Sequence, residues 1–230
     1  MSGLILGMDT ATPSTAVAVW GPDGPQVERR DDPAEGQRPA HGRRLLALVE
    51  AALEAAGAGW EDVGRIAVGV GPGGFTGLRL GIATARALAQ GRDLPLVGVS
   101  SLAALAAGAR DAAAGRTVLA AIDARRGEVF AAAWRDGEPV LEPAAIAPAD
   151  LAARLGAGSL EAPLAVGDGA VRYAGELAMA GAVVPPQDAR EHRLSALQVC
   201  RLGAVAEPAQ RDALLPDYRR EPDAKPPRLP

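Results

Sequence analysis

The sequence is poor in the side chains that carry out most enzyme chemistry. Of its 230 residues one is cysteine, two are histidine and one, Lys225, is lysine, although Lys and Arg together number 24. With its only lysine near the C-terminal end, the folded part lacks a phosphate-gripping or Schiff-base lysine, which excludes P-loop NTPases and protein kinases. One cysteine allows no disulfide within the chain and fits a reducing compartment. His41 and His192 cannot make a His-rich metal site. With no H-E-x-x-H or G-x-S-x-G stretch either, zinc and serine hydrolase mechanisms lack their parts. Aromatics amount to 3%, too few for the stacking platforms of single-strand binders. The net charge of -4 has the wrong sign for an unaided hold on phosphate backbones. No stretch approaches the ~18 strongly apolar residues of a membrane span, and residues 1–7 lack the regions of a signal peptide, so a soluble cytoplasmic chain is expected.

What is abundant is alanine, with 51 residues making up nearly half of the 48% that is hydrophobic. A chain of this length buries roughly 70% of its unfolded surface. Its core must therefore rely on close backbone approach. Leu4 to Met8 is a short apolar run closed by Asp9 and Thr10, and Thr15 to Trp20 alternates as a strand before the Gly21-Pro22-Asp23-Gly24 turn and a return strand at 26–30. Residues 31–44, charged and broken by Pro and Gly, read as a solvated connection. Leu45, Leu48, Val49, Ala52, Leu53 and Ala56 then recur at helical spacing up to Gly57, with Leu46 widening the stripe. A strand at 65–70, a helix at 76–90 and a strand at 94–99 form a βαβ pattern.

After this the chain starts again. Val118 to Asp123 repeats the apolar run and aspartate of residues 4–9. Each Asp is followed eleven positions later by tryptophan, Asp9 by Trp20 and Asp123 by Trp134, and Asp136-Gly137 repeats the turn Asp23-Gly24. A duplicated α/β architecture would produce this, and so would chance, because an aliphatic run closed by Asp is common. Further helices are expected at 148–155, 170–180 and 195–206, a strand at 163–166 and a disordered Pro-rich tail at 221–230.

The densest motif is Gly69 to Arg79, between a strand and a helix. Its glycines permit positive φ and close approach of backbone amides. Gly69, Gly71 and Gly74 fit G-x-G-x-x-G, but a dinucleotide site also needs an acid at the end of the next strand. The sequence there is Gly98-Val99-Ser100, so NAD is not expected. The competing reading is a tight turn, with Gly77 and Gly81 admitting a close neighbour. Asp9 and Asp123 leave two readings open. They face each other across a cleft and orient a hydrated metal on a nucleotide, or each caps its own hairpin, accepting bonds from Thr10, Thr12, Ser14 or local amides. Gly167-Asp168-Gly169 is a candidate nucleotide-side turn. Cys200 reads as a packed thiol and His192 as solvated. His41 is a helix-entry residue or, as the sharper reading, a partner contact.

Leu6 to Thr12, His41 to Leu46, Val68 to Gly81, Gly98 to Leu102 and Ala121 to Phe130 together resemble the TsaB family, with weaker echoes at 166–169 and 216–219. The resemblance implies an α/β, two-lobed actin-like ATPase (ASKHA) fold, a duplicated mixed sheet with flanking helices. Its divisions would be an N-terminal lobe with partner-binding helices at 1–102, a C-terminal lobe at 103–206, and a segment at 207–230 returning to the first lobe. It also implies a role in forming threonylcarbamoyladenosine on tRNA, as a non-catalytic subunit that positions a TsaD-type catalytic subunit and lets a TsaE-type ATPase join. Contact with tRNA would be indirect, a homodimer would compete with the heterodimer, and no cofactor, metal or catalytic residue would be needed.

TsaD-like proteins carry H-x-x-x-H after the strand at 95–99, where this chain has Ser101 and Leu105, which cannot bind a transition metal as two imidazoles do. Gly42 and Gly74 stand where serine is usual in the family, and Phe130 where tyrosine is common. The partner interface is expected at His41, Arg44, Leu45, Leu48, Leu78, Arg79, Ile82 and Arg86. A vestigial nucleotide cleft is expected at Asp9, Thr10, Gly71, Gly73, Gly74, Asp123, Gly167 and Gly169. The alternative is an enzyme of the same fold, an M22-type glycopeptidase or a small-molecule kinase, working around Asp9 and Asp123.

Overall fold

Strand β1 (Leu4–Asp9) sends alternate residues to two different cores. Leu6 and Met8 are fully buried on one face, under helices α1 (His41–Ala55) and α2 (Phe75–Arg92). Ile5 and Gly7 face the other way, towards helix α7 (Ala196–Val205). The structure is a computed structural model that describes residues 3–34, 36–157 and 160–220; the tail at 221–230, expected to be disordered, lies outside the described residues.

The first sheet has the order β3-β2-β1-β4-β5. Here β1, β2 (Thr15–Trp20) and β3 (Gln26–Asp31) form an antiparallel meander, and β4 (Val63–Gly71) and β5 (Leu96–Ser100) add in parallel. The second sheet repeats this without a fifth strand: β6 (Val118–Arg125), β7 (Glu128–Arg135) and β8 (Glu138–Ile146) form the meander and β9 (Leu164–Val166) adds in parallel, in the order β8-β7-β6-β9. The two tryptophans hold similar positions, Trp20 opposite Ile5, four residues before Asp9, and Trp134 opposite Val118, five residues before Asp123. The repeat seen in the sequence is thus a structural duplication.

Helices α3 (Ser101–Ala113) and α7 fill the space between the sheets, and α4 (Pro148–Gly156), α5 (Asp168–Arg172) and α6 (Ala174–Met179) lie on the outer side of the second sheet. The inner core between the sheets is where the alanines are used. It holds Ala16, Ala18, Ala67, Ala104, Ala109, Ala120 and Ala132. At Gly7 an added Cβ would lie 2.8 Å from the Ala196 carbonyl oxygen and collide with Cys200 Sγ, and at Gly203 it would lie 2.6 Å from Ala67 Cβ. Side chains this small let α7 ride almost directly on the strands.

Several elements differ from the sequence expectations. Helix α3 has no counterpart among the sequence expectations: its buried Leu102, Leu105, Ala106, Ala109 and Ala113 do recur at helical spacing, but alanine and glycine also occupy much of the other side, so the stripe has little contrast. Strand β8 follows the Asp136-Gly137 turn, where the repeat implies a return strand without fixing its range. Its Pro139 and Pro143 are tolerated because it is an edge strand. Helix α1 starts at His41, four residues before Leu45, so the connection after β3 is shorter than expected. The single helix expected at 170–180 is divided at Tyr173, whose φ of -114° takes it out of helical geometry. Beyond α7 the chain returns to the first sheet. The Ala209 N–H donates to the Leu96 carbonyl at 2.9 Å, Leu214 enters the outer core, and the Asp217 N–H donates to the Val70 carbonyl at 2.8 Å.

Candidate functional site

The C-terminal ends of β1 and β6 open onto a cleft of about 1330 Å³. In α/β proteins the ends of the strands are where loops free of ladder bonds can meet a ligand. One wall is formed by Thr10 to Pro13 and by Gly73 to Gly77, the other by Ile122 to Arg125, Phe130 and Asp168, and residues 217–220 close one side. Of the expected cleft residues, Thr10, Gly73, Gly74 and Asp123 line it, and so do His41 and Arg79 from the expected interface.

Asp9 does not reach this space. It is 2% exposed, its Oδ1 accepts the Ala11 N–H at 2.7 Å and its Oδ2 accepts the Ser101 hydroxyl at 2.6 Å. Burial is the dominant influence on it and pushes its pKa up to about 6 against the opposing hydrogen bonds. Asp123 repeats the local bond, its Oδ1 accepting the Arg125 N–H at 2.9 Å, while its Oδ2 meets the guanidinium groups of Arg125 and Arg172 at 3.2 and 3.5 Å. Asp168 in turn accepts the Asp123 N–H at 3.0 Å, and burial raises its pKa too. Both aspartates therefore cap their own turns through the amide two residues on, and the hydroxyl of Thr10 goes instead to the Gly77 carbonyl at 2.8 Å. Among the described residues no three His, Cys, Asp or Glu side chains are grouped to hold a metal ion.

The other expected cleft glycines serve packing. Gly71, at φ +103°, is buried and donates its N–H to Ser101 Oγ at 3.2 Å. A Cβ at Gly167 would lie 2.7 Å from Leu105 Cδ2, and one at Gly169 would lie 2.9 Å from the Ala121 carbonyl oxygen. These two positions let α5 begin directly against β6, with Asp168 at its start on the cleft wall.

The cleft mouth brings Arg79 of the expected interface together with Phe75, Tyr218 and Arg220, to which the sequence assigned no site role. Phe75, 55% exposed, stacks on Tyr218 with ring centroids 5.5 Å apart. The Arg79 guanidinium lies 3.7 Å over the Phe75 ring and donates to the Tyr218 hydroxyl at 2.8 Å. Arg220 reaches the second lobe, donating to the Ala124 carbonyl at 3.3 Å and pairing with Glu128 at 2.9 Å, and Arg219 donates to the Pro143 carbonyl at 3.2 Å. Residues 214–220 are thus a strap fixed to both lobes. Arg38 and Asp217 complete the mouth. The exposed Phe75 inside a glycine loop was the signal available in the sequence.

The expected interface needs correction. Leu45, Leu48, Leu78 and Ile82 are 1%, 7%, 1% and 3% exposed and are buried within the first lobe. They cannot meet a partner while the lobe is folded. Arg44 pairs with Asp31, Arg79 with Tyr218 and Arg86 with Asp212. His41 is buried, its Nδ1 2.9 Å from the Thr15 hydroxyl, and burial lowers its pKa, which keeps it neutral near pH 7. The outer face of α1 and α2 is instead formed by Leu46, 55% exposed, with Ala47, Ala83 and Ala87, and by Leu80, which sits against Gly42.

Two side chains off the cleft complete the account. Cys200 is fully buried, its thiol 3.5 Å from the Ile5 carbonyl, and burial raises its pKa, so it is a packed thiol. His192 is not solvated as expected. Its Nδ1 accepts the Gly167 N–H at 3.1 Å and its Nε2 lies 3.1 Å from the Pro185 carbonyl, so it ties the loop before α7 to the turn after β9.

Comparison with known proteins agrees with this architecture. The model of the family TsaD, tRNA N6-adenosine threonylcarbamoyltransferase, matches residues 33–165. The tRNA threonylcarbamoyladenosine biosynthesis protein TsaB of Escherichia coli K12 is 41% identical over 134 residues, 58% of this chain and 56% of that protein, so the match spans about half the length of that relative. An uncharacterized protein of Mycobacterium bovis is 35% identical over 236 aligned positions, covering 96% of this chain and 94% of its own. A solved Pseudomonas aeruginosa structure, described as similar to the peptidase YeaZ, superposes with a TM-score of 0.78 at 28% identity, covering 95% of this chain and all of that one. The fold is the two-lobed actin-like one, and the chain belongs to the TsaD family, tRNA N6-adenosine threonylcarbamoyltransferase.

Proposed function

We propose that this chain is a non-catalytic subunit in the formation of threonylcarbamoyladenosine on tRNA, binding and positioning a TsaD-type catalytic subunit. One observation carries the reading. At the start of α3, where TsaD-like proteins have two metal-binding histidines, the Ser101 hydroxyl is held between Asp9 and Gly71 and Leu105 is buried under Gly167. The two aspartates that an enzyme of this fold would use are bonded to their own turns. The reading is supported by the name of the E. coli relative, which refers to this modification.

The face offered to the partner is the outer side of α1 and α2, with Leu46, Leu80, Ala83 and Ala87. Small residues there let a helix pair from the partner approach closely. The same face serves a second copy of this chain when no partner is present. A TsaE-type ATPase joins the assembly, tRNA is held mainly by the other subunits, and the complex works in the cytoplasm. The test is reconstitution of tRNA modification from purified TsaD-type and TsaE-type subunits and a threonylcarbamoyl-adenylate source, with and without this chain. Dependence on the chain, with no stoichiometric zinc or iron in it, is expected. Modification at full rate without it would overturn the proposal.

A further inference from the structure

At the ends of α3 and β6 remote from the cleft lies a second cavity, of about 380 Å³. Its walls are apolar: Ala103, Ala106 and Ala107 of α3, Val118 of β6, Leu202 of α7 and the half-buried indole of Trp134. Its rim is charged, with Arg110, Arg116 and Asp136. Arg110 reaches from α3 to the backbone of Gly137, where a Cβ would strike its guanidinium, so the glycine at this turn, φ +93°, is also what lets the arginine lie along the rim. Most arginines near the cleft hold a carboxylate or a carbonyl of the chain, as Arg125, Arg219 and Arg220 do. Among the described residues, the side chains of Arg110 and Arg116 hold neither.

We propose that this cavity binds a small aromatic monocarboxylate, its ring against Trp134 and Ala106 and its carboxylate between Arg110 and Arg116. The chemistry follows from the parts. An apolar chamber of this size suits one small organic ligand, since pockets for such molecules run from roughly 300 to 1,000 Å³. An indole wall favours a flat ring. Two guanidinium groups are suited to a carboxylate, which takes paired N–H donors. Asp136 leaves the rim with one net positive charge, which fits a monoanion and disfavours a polyanion. The site is separate from the cleft and from the α1 and α2 face, and does not depend on the role proposed above.

The probe is 2-naphthoate, with 2-naphthalenemethanol as its neutral counterpart, titrated into the full chain and followed by the indole Nε1–H resonances. The Trp134 signal is identified by its loss in Trp134→Phe. A saturable shift of that signal alone is expected with naphthoate, with binding weakened about tenfold or more for the alcohol and in Arg110→Ala/Arg116→Ala, as the loss of a charge-assisted pair implies. Ala107→Leu, at a half-buried wall position, should abolish the shift by filling the chamber. Absence of a saturable shift, equal affinity for acid and alcohol, or indifference to the double arginine substitution would each overturn the proposal.

Discussion

The Ser101 hydroxyl donates to Asp9 Oδ2 at 2.6 Å, joining the last residue of β1 to the first residue of α3. This bond lies where the first lobe meets the helices between the sheets, and the carboxylate it satisfies is fully buried. Burial outweighs the hydrogen bonds and holds Asp9 at about 6, against an ordinary 3.8.

A group with its folded pKa raised favours the folded state when protonated. Its contribution is therefore full below about pH 4 and is lost as the pH rises through about 6, a difference of about 3 kcal/mol for a shift of this size. Urea unfolding between about pH 4 and 7.5 should show this decline in the native sequence and a much flatter profile in Asp9→Asn, which keeps the acceptor for the Ala11 N–H. Parallel profiles in the two proteins would show that Asp9 is not the source.

Gly69 lies directly against the same carboxylate, since an added Cβ there would collide with Asp9 Oδ2 and lie 3.0 Å from Ser101 Oγ. Gly69→Ala should cost about 2–4 kcal/mol, and Asp9→Ala in that background should recover part of the loss, as contacting residues couple. Simple additivity of the two substitutions in chemical denaturation would count against the contact.

Neighbouring leucines on α1 should behave in opposite ways. Leu45→Asp places an unpaired carboxylate at a position 1% exposed and should unfold the first lobe, whereas Leu46→Asp, at a position 55% exposed, should leave the thermal midpoint within a few degrees. Copurification with a TsaD-type subunit should nevertheless be lost in Leu46→Asp. Retained copurification of that folded variant would move the interface elsewhere.

The strap should be held by its two anchors to different degrees. Arg220→Ala takes the partner from the buried Glu128 Oε2 and should cost about 1–3 kcal/mol, while Tyr218→Ala, which removes both the stack on Phe75 and the bond from Arg79, should cost about 1 kcal/mol. Amide hydrogen exchange in residues 72–79 should quicken in Tyr218→Ala; unchanged protection there would show that the strap does not order the glycine loop.

The sequence revealed the fold where periodicity and burial coincide. Strand β1 is a continuous apolar run and β2 alternates, α2 follows a glycine turn, and the eleven-residue spacing from Asp to Trp recurs in the first hairpin of each sheet, with pairing registers one residue apart. It marked α3 only faintly, because Leu102, Leu105, Ala106 and Ala109 fall on one buried face while Ala103, Ala107, Gly108 and Ala112 on the remaining surface dilute the contrast that Arg110 and Asp111 supply. A stripe of leucines also says only that a helix has a buried side. Leu45 and Leu48 face their own sheet, and nothing in their spacing separates that from a partner. The cleft was half legible: its glycine loop and Asp123 are local motifs, while Tyr218 and Arg220 arrive from about 140 and 95 residues away, distances over which pattern carries no information.

The return of the last helix and strap to the first lobe has a consequence for the order in which the protein can be made. Ile5, Ala16, Ala18 and Ala67 belong to the inner core that α7 covers, yet α7 begins only at Ala196. During synthesis, at ~5–20 residues per second, the first sheet therefore waits for on the order of ten seconds or more with one apolar face uncovered. Only the outer core under α1 and α2 can consolidate in that interval. An inner face in which Ala16, Ala18 and Ala67 sit among Ile5, Val97 and Val99 offers less apolar area to a stray neighbour than a face of leucines would until the chain's own helix arrives.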